Sequence, residues 1–177
     1  MPGPGGAGLG RIGSLLVLTI LLAPVGTILL IIAMHKLSKS LNDRLIWKYT
    51  LYSLVIGIAS IGALIPTSIL LATYLGVNAL SNTPPTLAYN IAYIITLVVL
   101  YPFAIGSGYY WRRAFTELAR ASGIERFGTT ARWVWYGALT SIVPIIGTVF
   151  SWVGYYNAYK GFKTLECGPQ APGAPGV

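Results

Sequence analysis

The sequence predicts an all-α integral membrane protein with four transmembrane helices, each containing a proline. Three observations carry that reading. Of its 177 residues 55% are apolar and only 9% are charged, whereas a soluble domain carries about a quarter charged residues. Four apolar runs follow one another, each of about twenty residues or more, the length that crosses a ~30 Å hydrocarbon core. Each run holds one proline, Pro24, Pro66, Pro102 or Pro144, a residue that membrane helices tolerate where neighbours satisfy the freed carbonyls. By length the chain is one domain.

Residues 1–10 are dense in Gly and Pro and predict a disordered tail; residues 166–177 are their counterpart, leaving 11–165 as the membrane domain. The first run is Ile12 to Met34. A signal peptide is disfavoured, because a cut after Ala23 would leave Leu21 where a small residue is needed and Pro24 directly after the cut. A polar turn from His35 to Arg44 follows, and Asn42 or Asp43 can cap the next helix. The second run starts near Leu45, where Trp47, Lys48, Tyr49 and Tyr52 mark its entry ahead of the span proper, and reaches about Val77, with Ser53, Gly57 and Ser60 on one small face. The turn from Gly76 to Pro85 holds no charge.

The third run, Leu87 to Tyr110, changes character without a break. Trp111, Ala114, Phe115, Leu118 and Ser122 recur at three- and four-residue intervals. Arg113, Glu117 and Arg120 sit opposite them at pairing distance. The expectation is an amphipathic surface extension after span three, stopped by Gly123. Thr129 or Thr130 then caps the fourth run, Val134 to about Tyr159.

Charge sorts by connection. Lys36, Lys39, Arg44 and Lys48 lie between runs one and two; Arg112, Arg113, Arg120, Arg126 and Arg132 lie between three and four; the connection between two and three has none. Basic residues mark the cytoplasmic side, so four crossings put both basic connections inside and both termini outside the cell membrane. Lys160 and Lys163 then fall on the wrong side. An alternative breaks runs one and four into hairpins at Pro24 and Pro144, which removes that misfit. Its arms of about a dozen residues span only ~18 Å, short of the ~30 Å core, and four crossings is therefore the expectation. The net charge of +8 reads as loop charge that meets anionic lipid headgroups. It does not read as a nucleic-acid stripe, because the cations flank apolar runs.

The residues exclude much chemistry. No Asp, Glu, Lys, Arg or His lies inside a predicted span, where proton relays and charged-substrate pockets need them. Cys167 is the single cysteine and His35 the single histidine, so no metal or other cofactor is expected. The four acids, Asp43, Glu117, Glu125 and Glu166, make no convincing catalytic pair. One constellation remains: Gly137, Ser141, Pro144, Thr148 and Ser151 share a face of run four. It reads as close helix packing, or as the lining of a polar pathway. Pro24-Val25-Gly26-Thr27 against Pro144-Ile145-Ile146-Gly147-Thr148 also hints at an internal repeat.

The stretch Tyr110-Trp111-Arg112-Arg113-Ala114-Phe115, with Leu118-Ala119, Ser122-Gly123-Ile124 and Phe127, resembles a motif of a family of small archaeal multi-pass membrane proteins, the domain-of-unknown-function 996 family. The resemblance extends from Leu9-Gly10 to Leu165. The family carries no assigned activity, so no catalytic residue transfers. The expected function is that of a non-enzymatic scaffold or accessory subunit with a basic cytoplasmic face, binding anionic lipid and a membrane-protein partner or a second copy. The alternative is a small channel or transporter for a neutral or apolar solute.

Overall fold

A computed structural model describes residues 5–19, 22–80 and 85–167. The described residues form six α-helices: α1 (Gly5–Val17), α2 (Ala23–Ser40), α3 (Arg44–Leu80), α4 (Pro85–Ser122), α5 (Glu125–Leu139) and α6 (Pro144–Cys167), with a 3₁₀ turn at Thr140–Ile142. They pack as three antiparallel hairpins in chain order, α1/α2, α3/α4 and α5/α6.

The expectation of four crossings is overturned. Among the described residues two helices, α3 over Arg44–Val77 and α4 over Thr86–Ser122, are long and apolar enough to cross a membrane. Their most apolar stretches are 6% and 11% buried, which separates them from the core helices of a soluble protein. Runs one and four are each divided, and the prolines divide them. Pro24 stands in the first turn of α2 and Pro144 opens α6, the helix position where a missing N–H costs nothing. Before Pro24, α1 tightens through Leu18 N–H to Leu15 O and Thr19 N–H to Leu16 O. Before Pro144, Val143 is extended at φ −108° and ψ 97°, as a residue preceding proline prefers. Pro66 and Pro102 lie inside continuous helices.

The arms are longer than the apolar runs suggest. α1 takes in Gly5–Gly10, part of the expected 1–10 tail, and α6 runs through Glu166 to Cys167; residues 1–4 and 168–177 of the expected tails lie outside the described residues. α5 starts at Glu125, earlier than a cap at Thr129 or Thr130 would allow, with Ile124 as its N-cap residue. The Ser122 hydroxyl accepts the Ile124 N–H at 3.3 Å. Gly123 ends α4 at φ +69°, a left-handed stop that glycine adopts without strain.

The buried core sits at one end of the bundle. Trp111, Phe115 and Leu118 of α4 meet Phe127 of α5, Phe162 of α6 and Met34 of α2. Phe115 stacks on Phe127 at 6.4 Å, and Phe127 takes Phe162 edge-on at 4.9 Å. The expected surface extension after Tyr110 is thus corrected. Its three-four spacing is real, but Ala114, Phe115 and Leu118 are fully buried against other helices and do not lie on a membrane surface.

The other end is apolar and bare. Ile58, Ile65, Leu70 and Val98 of the long hairpin are each at least 60% exposed, and Ile28 and Ile145 near the short hairpins' turns are 58% and 79% exposed. The described ends of α1 and α6 lie with the core. A Cβ on Gly6 would touch Lys36 Cβ at 3.3 Å, and one on Gly8 would meet Glu166 Oε1 at 3.6 Å. The start of α1, the end of α6 and the 35–48 connection therefore share one end of the bundle, which four crossings would have separated.

Candidate functional site

Two features stand out, the basic end and a cleft above it. Lys36, Lys39, Arg44, Lys48, Arg112, Arg113, Arg120, Arg126 and Arg132 are all exposed. Arg120 ties the two basic connections together, reaching Asp43 at 3.2 Å and Glu117 at 2.8 Å. Asp43 also caps α3, accepting the Leu45 N–H at 2.9 Å. Arg113 does not pair with Glu117; it donates to the Tyr109 hydroxyl at 3.1 and 3.2 Å. Arg112 lies over the Trp135 ring at 5.6 Å and Lys48 over Tyr52 at 5.8 Å, so cations and interfacial aromatics share one level.

Division of run four also relocates Lys160 and Lys163. They sit in the last turns of α6, where Gly161 packs on the Phe127 ring near the start of α5. The misfit that four crossings created is gone, and the cations of the described chain gather toward one end. Arg11 joins them through Glu166 at 2.8 Å.

The cleft has a volume of about 520 Å³ and lies between α4, the α5/α6 hairpin and the turn of α1/α2. Gly137, Ser141, Pro144, Thr148 and Ser151 all line it. Opposite them stand Ser107 and Gly108 of α4, with Trp111 and Tyr155 toward the core. Two of these hydroxyls are committed to backbone carbonyls three and four residues back. Ser141 donates to Ala138 O and Thr148 to Pro144 O, each at 2.7 Å. Such a wall still accepts hydrogen bonds through its oxygens and is otherwise apolar. It suits a neutral molecule. Among the described residues no group of three His, Cys, Asp or Glu side chains is placed to hold a metal.

The closeness of α5 and α6 rests on Gly147, which the sequence marks only through the repeat, and on Gly154 and Gly161, which it does not single out. A Cβ on Gly147 would lie 2.8 Å from Ser141 Cα and 3.0 Å from Gly137 O; on Gly154 it would lie 2.9 Å from Val134 Cγ2; on Gly161 it would lie 2.9 Å from Phe127 Cε1. The three glycines are seven apart, and so are their partners Phe127, Val134 and Ser141. That seven-residue spacing is legible in the sequence. The expectation for Gly57 fails in the opposite sense, since a Cβ built on it would meet no other helix within 4 Å; Ser53 of the same face does pair, with Ser107 Oγ at 2.9 Å.

The proposed internal repeat has a geometric counterpart. Gly13 faces Gly26 as Gly137 faces Gly147, each with a would-be Cβ about 3 Å from the partner's carbonyl oxygen. Thr27 donates to Ala23 O and Thr148 to Pro144 O, one turn back in each case.

Comparison with known proteins places the chain. The family described as protein of unknown function DUF996 matches residues 22–155, and the chain belongs to it. An uncharacterised protein of the archaeon Methanocaldococcus jannaschii, MJ1644, is 24% identical over 154 residues, which cover 81% of this chain and 83% of the relative. No solved structure matches.

Proposed function

We propose that this membrane-associated member of the DUF996 family is a non-enzymatic scaffold or accessory subunit seated on the inner leaflet by its basic end. One observation carries the reading: cations and core share one end of the bundle, while the other end exposes large apolar side chains. That division fits a body half in headgroups and half in hydrocarbon. In this reading α3 and α4 cross, and the two short hairpins dip in and return. α1 spans about 20 Å and α5 about 23 Å at helical rise, enough to reach into the bilayer without crossing it.

The positive-inside rule then places both described chain ends on the cytoplasmic side. Cys167 is exposed and unpaired, so it reports the side directly. In right-side-out vesicles a membrane-impermeant maleimide is expected to label it only after permeabilisation; labelling beforehand would overturn the orientation. Headgroup contact has its own test. Arg112→Gln with Arg113→Gln is expected to retain less anionic lipid at low salt, and the difference should shrink at high salt as screening grows. Equal retention at low salt would remove the electrostatic part of the reading.

The cleft favours a second reading, a carrier of a neutral or apolar solute. Two crossing helices enclose no path through a bilayer, so this reading requires several copies or a cleft that only binds. A bulky Ser141→Leu that abolishes solute flux in reconstituted vesicles, with the fold intact, would support it over the scaffold.

A further inference from the structure

We infer that the turn between α2 and α3 is a discrete site for the phosphate of a lipid headgroup, held by Lys39 and Arg44 beside Trp47. The inference deepens the proposed seat on anionic lipid and rests on it. A cavity of about 440 Å³ opens here, lined by His35, Ser38, Lys39, Asn42, Arg44 and Trp47. That volume lies within the range of small-molecule pockets, roughly 300–1,000 Å³.

The turn is built rigidly. Asn42 takes the left-handed conformation at φ 51°, which asparagine adopts more readily than most residues. The Asp43 N–H donates to Ser38 O at 3.0 Å, and the Ser38 hydroxyl donates back to Asp43 O at 2.8 Å. Lys39 and Arg44 thus line the opening from a fixed frame.

The charge at this opening is unspent. Among the described residues, the acids that form ion pairs are Asp43 and Glu117 with Arg120, and Glu166 with Arg11. Lys39 and Arg44 form none. An arginine fork beside a lysine point charge is the donor set that suits phosphate oxygens, and the N-terminal end of α3 adds its dipole. The His35 ring rests edge-on against Trp47 at 4.4 Å, and its Nδ1 is buried with no hydrogen-bond partner. Packing on Trp47 therefore holds this imidazole, and no protein group uses that nitrogen.

The apolar surface below the pocket points to a lipid as the source of the phosphate. Trp47 stands at headgroup character, an amphipathic ring at the top of α3. Leu51, Val55 and Ile58 follow it at three- and four-residue steps along one face, exposed by 39%, 55% and 60%. A phosphate seated between Lys39 and Arg44 leaves its acyl or alkyl chains lying along that track.

The test uses the full chain in neutral detergent and counts bound molecules by native mass spectrometry. The probes are a two-chain phosphatidic acid, the same lipid without its phosphate, and inorganic phosphate. One phosphatidic acid per chain is expected to bind saturably. Loss of two charge-assisted contacts in Lys39→Gln with Arg44→Gln should weaken it about tenfold or more. Arg126→Gln with Arg132→Gln, the same charge removed from the exposed face of α5, should change it by less than about threefold. Arg44→Lys, which keeps the charge and loses the fork, should fall between. Equal weakening by both pairs would overturn the pocket and leave the basic seat standing. No weakening by either pair would overturn the pocket, and the Arg112/Arg113 pair would then decide the basic seat. Binding of the phosphate-free lipid as tightly as phosphatidic acid would overturn the phosphate assignment, and displacement by equimolar inorganic phosphate would overturn the lipid assignment.

Discussion

The short hairpins and the long hairpin are made of the same apolar, proline-containing sequence, and they close differently. In α1/α2 and α5/α6 the backbones meet at glycine on glycine, Gly13 on Gly26 and Gly137 on Gly147. Among the described residues of α3/α4 no glycine meets a glycine; Gly57, Gly62 and Gly76 have nothing within 4 Å of a would-be Cβ, and Gly106 meets only the Ile56 side chain. There the helices are joined by side chains, among them the Ser53–Ser107 hydroxyl pair. The prolines follow this division. Where small residues let two arms lie against each other, a proline starts the returning arm. Where they do not, Pro66 and Pro102 stay inside one helix with exposed rings. A proline in an apolar run is thus a turn or a kink according to what flanks it.

The largest effect that tests this contrast is overpacking. Gly147→Leu drives a side chain into the Ser141 and Gly137 backbones, which cannot move aside as a flexible side chain would. A loss of about 3 kcal/mol is expected, the upper part of the overpacking range. Gly62→Leu puts the same side chain into open space on α3 and should stay within about 0.5 kcal/mol, as surface changes do. Detergent unfolding of the two variants beside wild type measures both. Comparable losses would mean that glycine contact does not distinguish the hairpins.

Next come the prolines themselves. Pro66→Ala restores an N–H where the Gly62 carbonyl of the same helix lacks its donor, and removes a ring clash. It should stabilise the protein by roughly 1–3 kcal/mol. Pro144→Ala acts at the first residue of α6, where no intrahelical N–H bond is lost, and should change stability by less than about 1 kcal/mol. If Pro144→Ala stabilises more than Pro66→Ala, the turn at 140–143 is a strained device and not a natural helix start.

Much of this was written in the sequence, though not where length alone directed the reading. Apolar content and basic connections are read directly from residue chemistry, and so is the stop at Gly123, which the structure bears out as a left-handed residue ending α4. The stripe from Gly137 to Ser151 does face one space, the cleft. The crossing number did not follow, because a run of about twenty apolar residues satisfies the length rule equally well as one span or as two short arms. The missing information was longer range. Gly26 matters only because Gly13 lies opposite it, and the seven-residue spacing of Gly147, Gly154 and Gly161 matters only because Phe127, Val134 and Ser141 repeat in step. Charge held the clue, since only hairpins bring Lys160 and Lys163 to the basic end.

A smaller test concerns how the α5/α6 turn is tied to the long hairpin. The Tyr101 hydroxyl donates to Leu139 O at 2.7 Å, at the last residue of α5. The bond ties the junction of α5 and the 3₁₀ turn to α4. Tyr101→Phe should cost about 1 kcal/mol, the net worth of one hydrogen bond. Hydrogen exchange should rise around 139–143 more than along α3. A uniform rise would mean that the turn is held by packing alone.

The smallest expected effect lies in the long hairpin and decides whether its closure is polar at all. Ser53 Oγ and Ser107 Oγ are 2.9 Å apart, and Ser53 also approaches Ser107 O at 3.3 Å. Ser53 is 2% exposed, so water does not substitute readily for its partner. Hydroxyl bonds between membrane helices couple by about 0.6 kcal/mol on average, because the unfolded chain in the bilayer finds partners too. Ser53→Ala, Ser107→Ala and the double variant form a cycle that isolates this term. A coupling near 0.6 kcal/mol is expected, beside single losses that include the packing change. A coupling indistinguishable from zero would assign the closure of α3 on α4 to shape alone. The long hairpin would then differ from the short ones only in the size of the residues between its helices, and the contrast between hydroxyl closure and glycine closure would reduce to a single mechanism with two spacings.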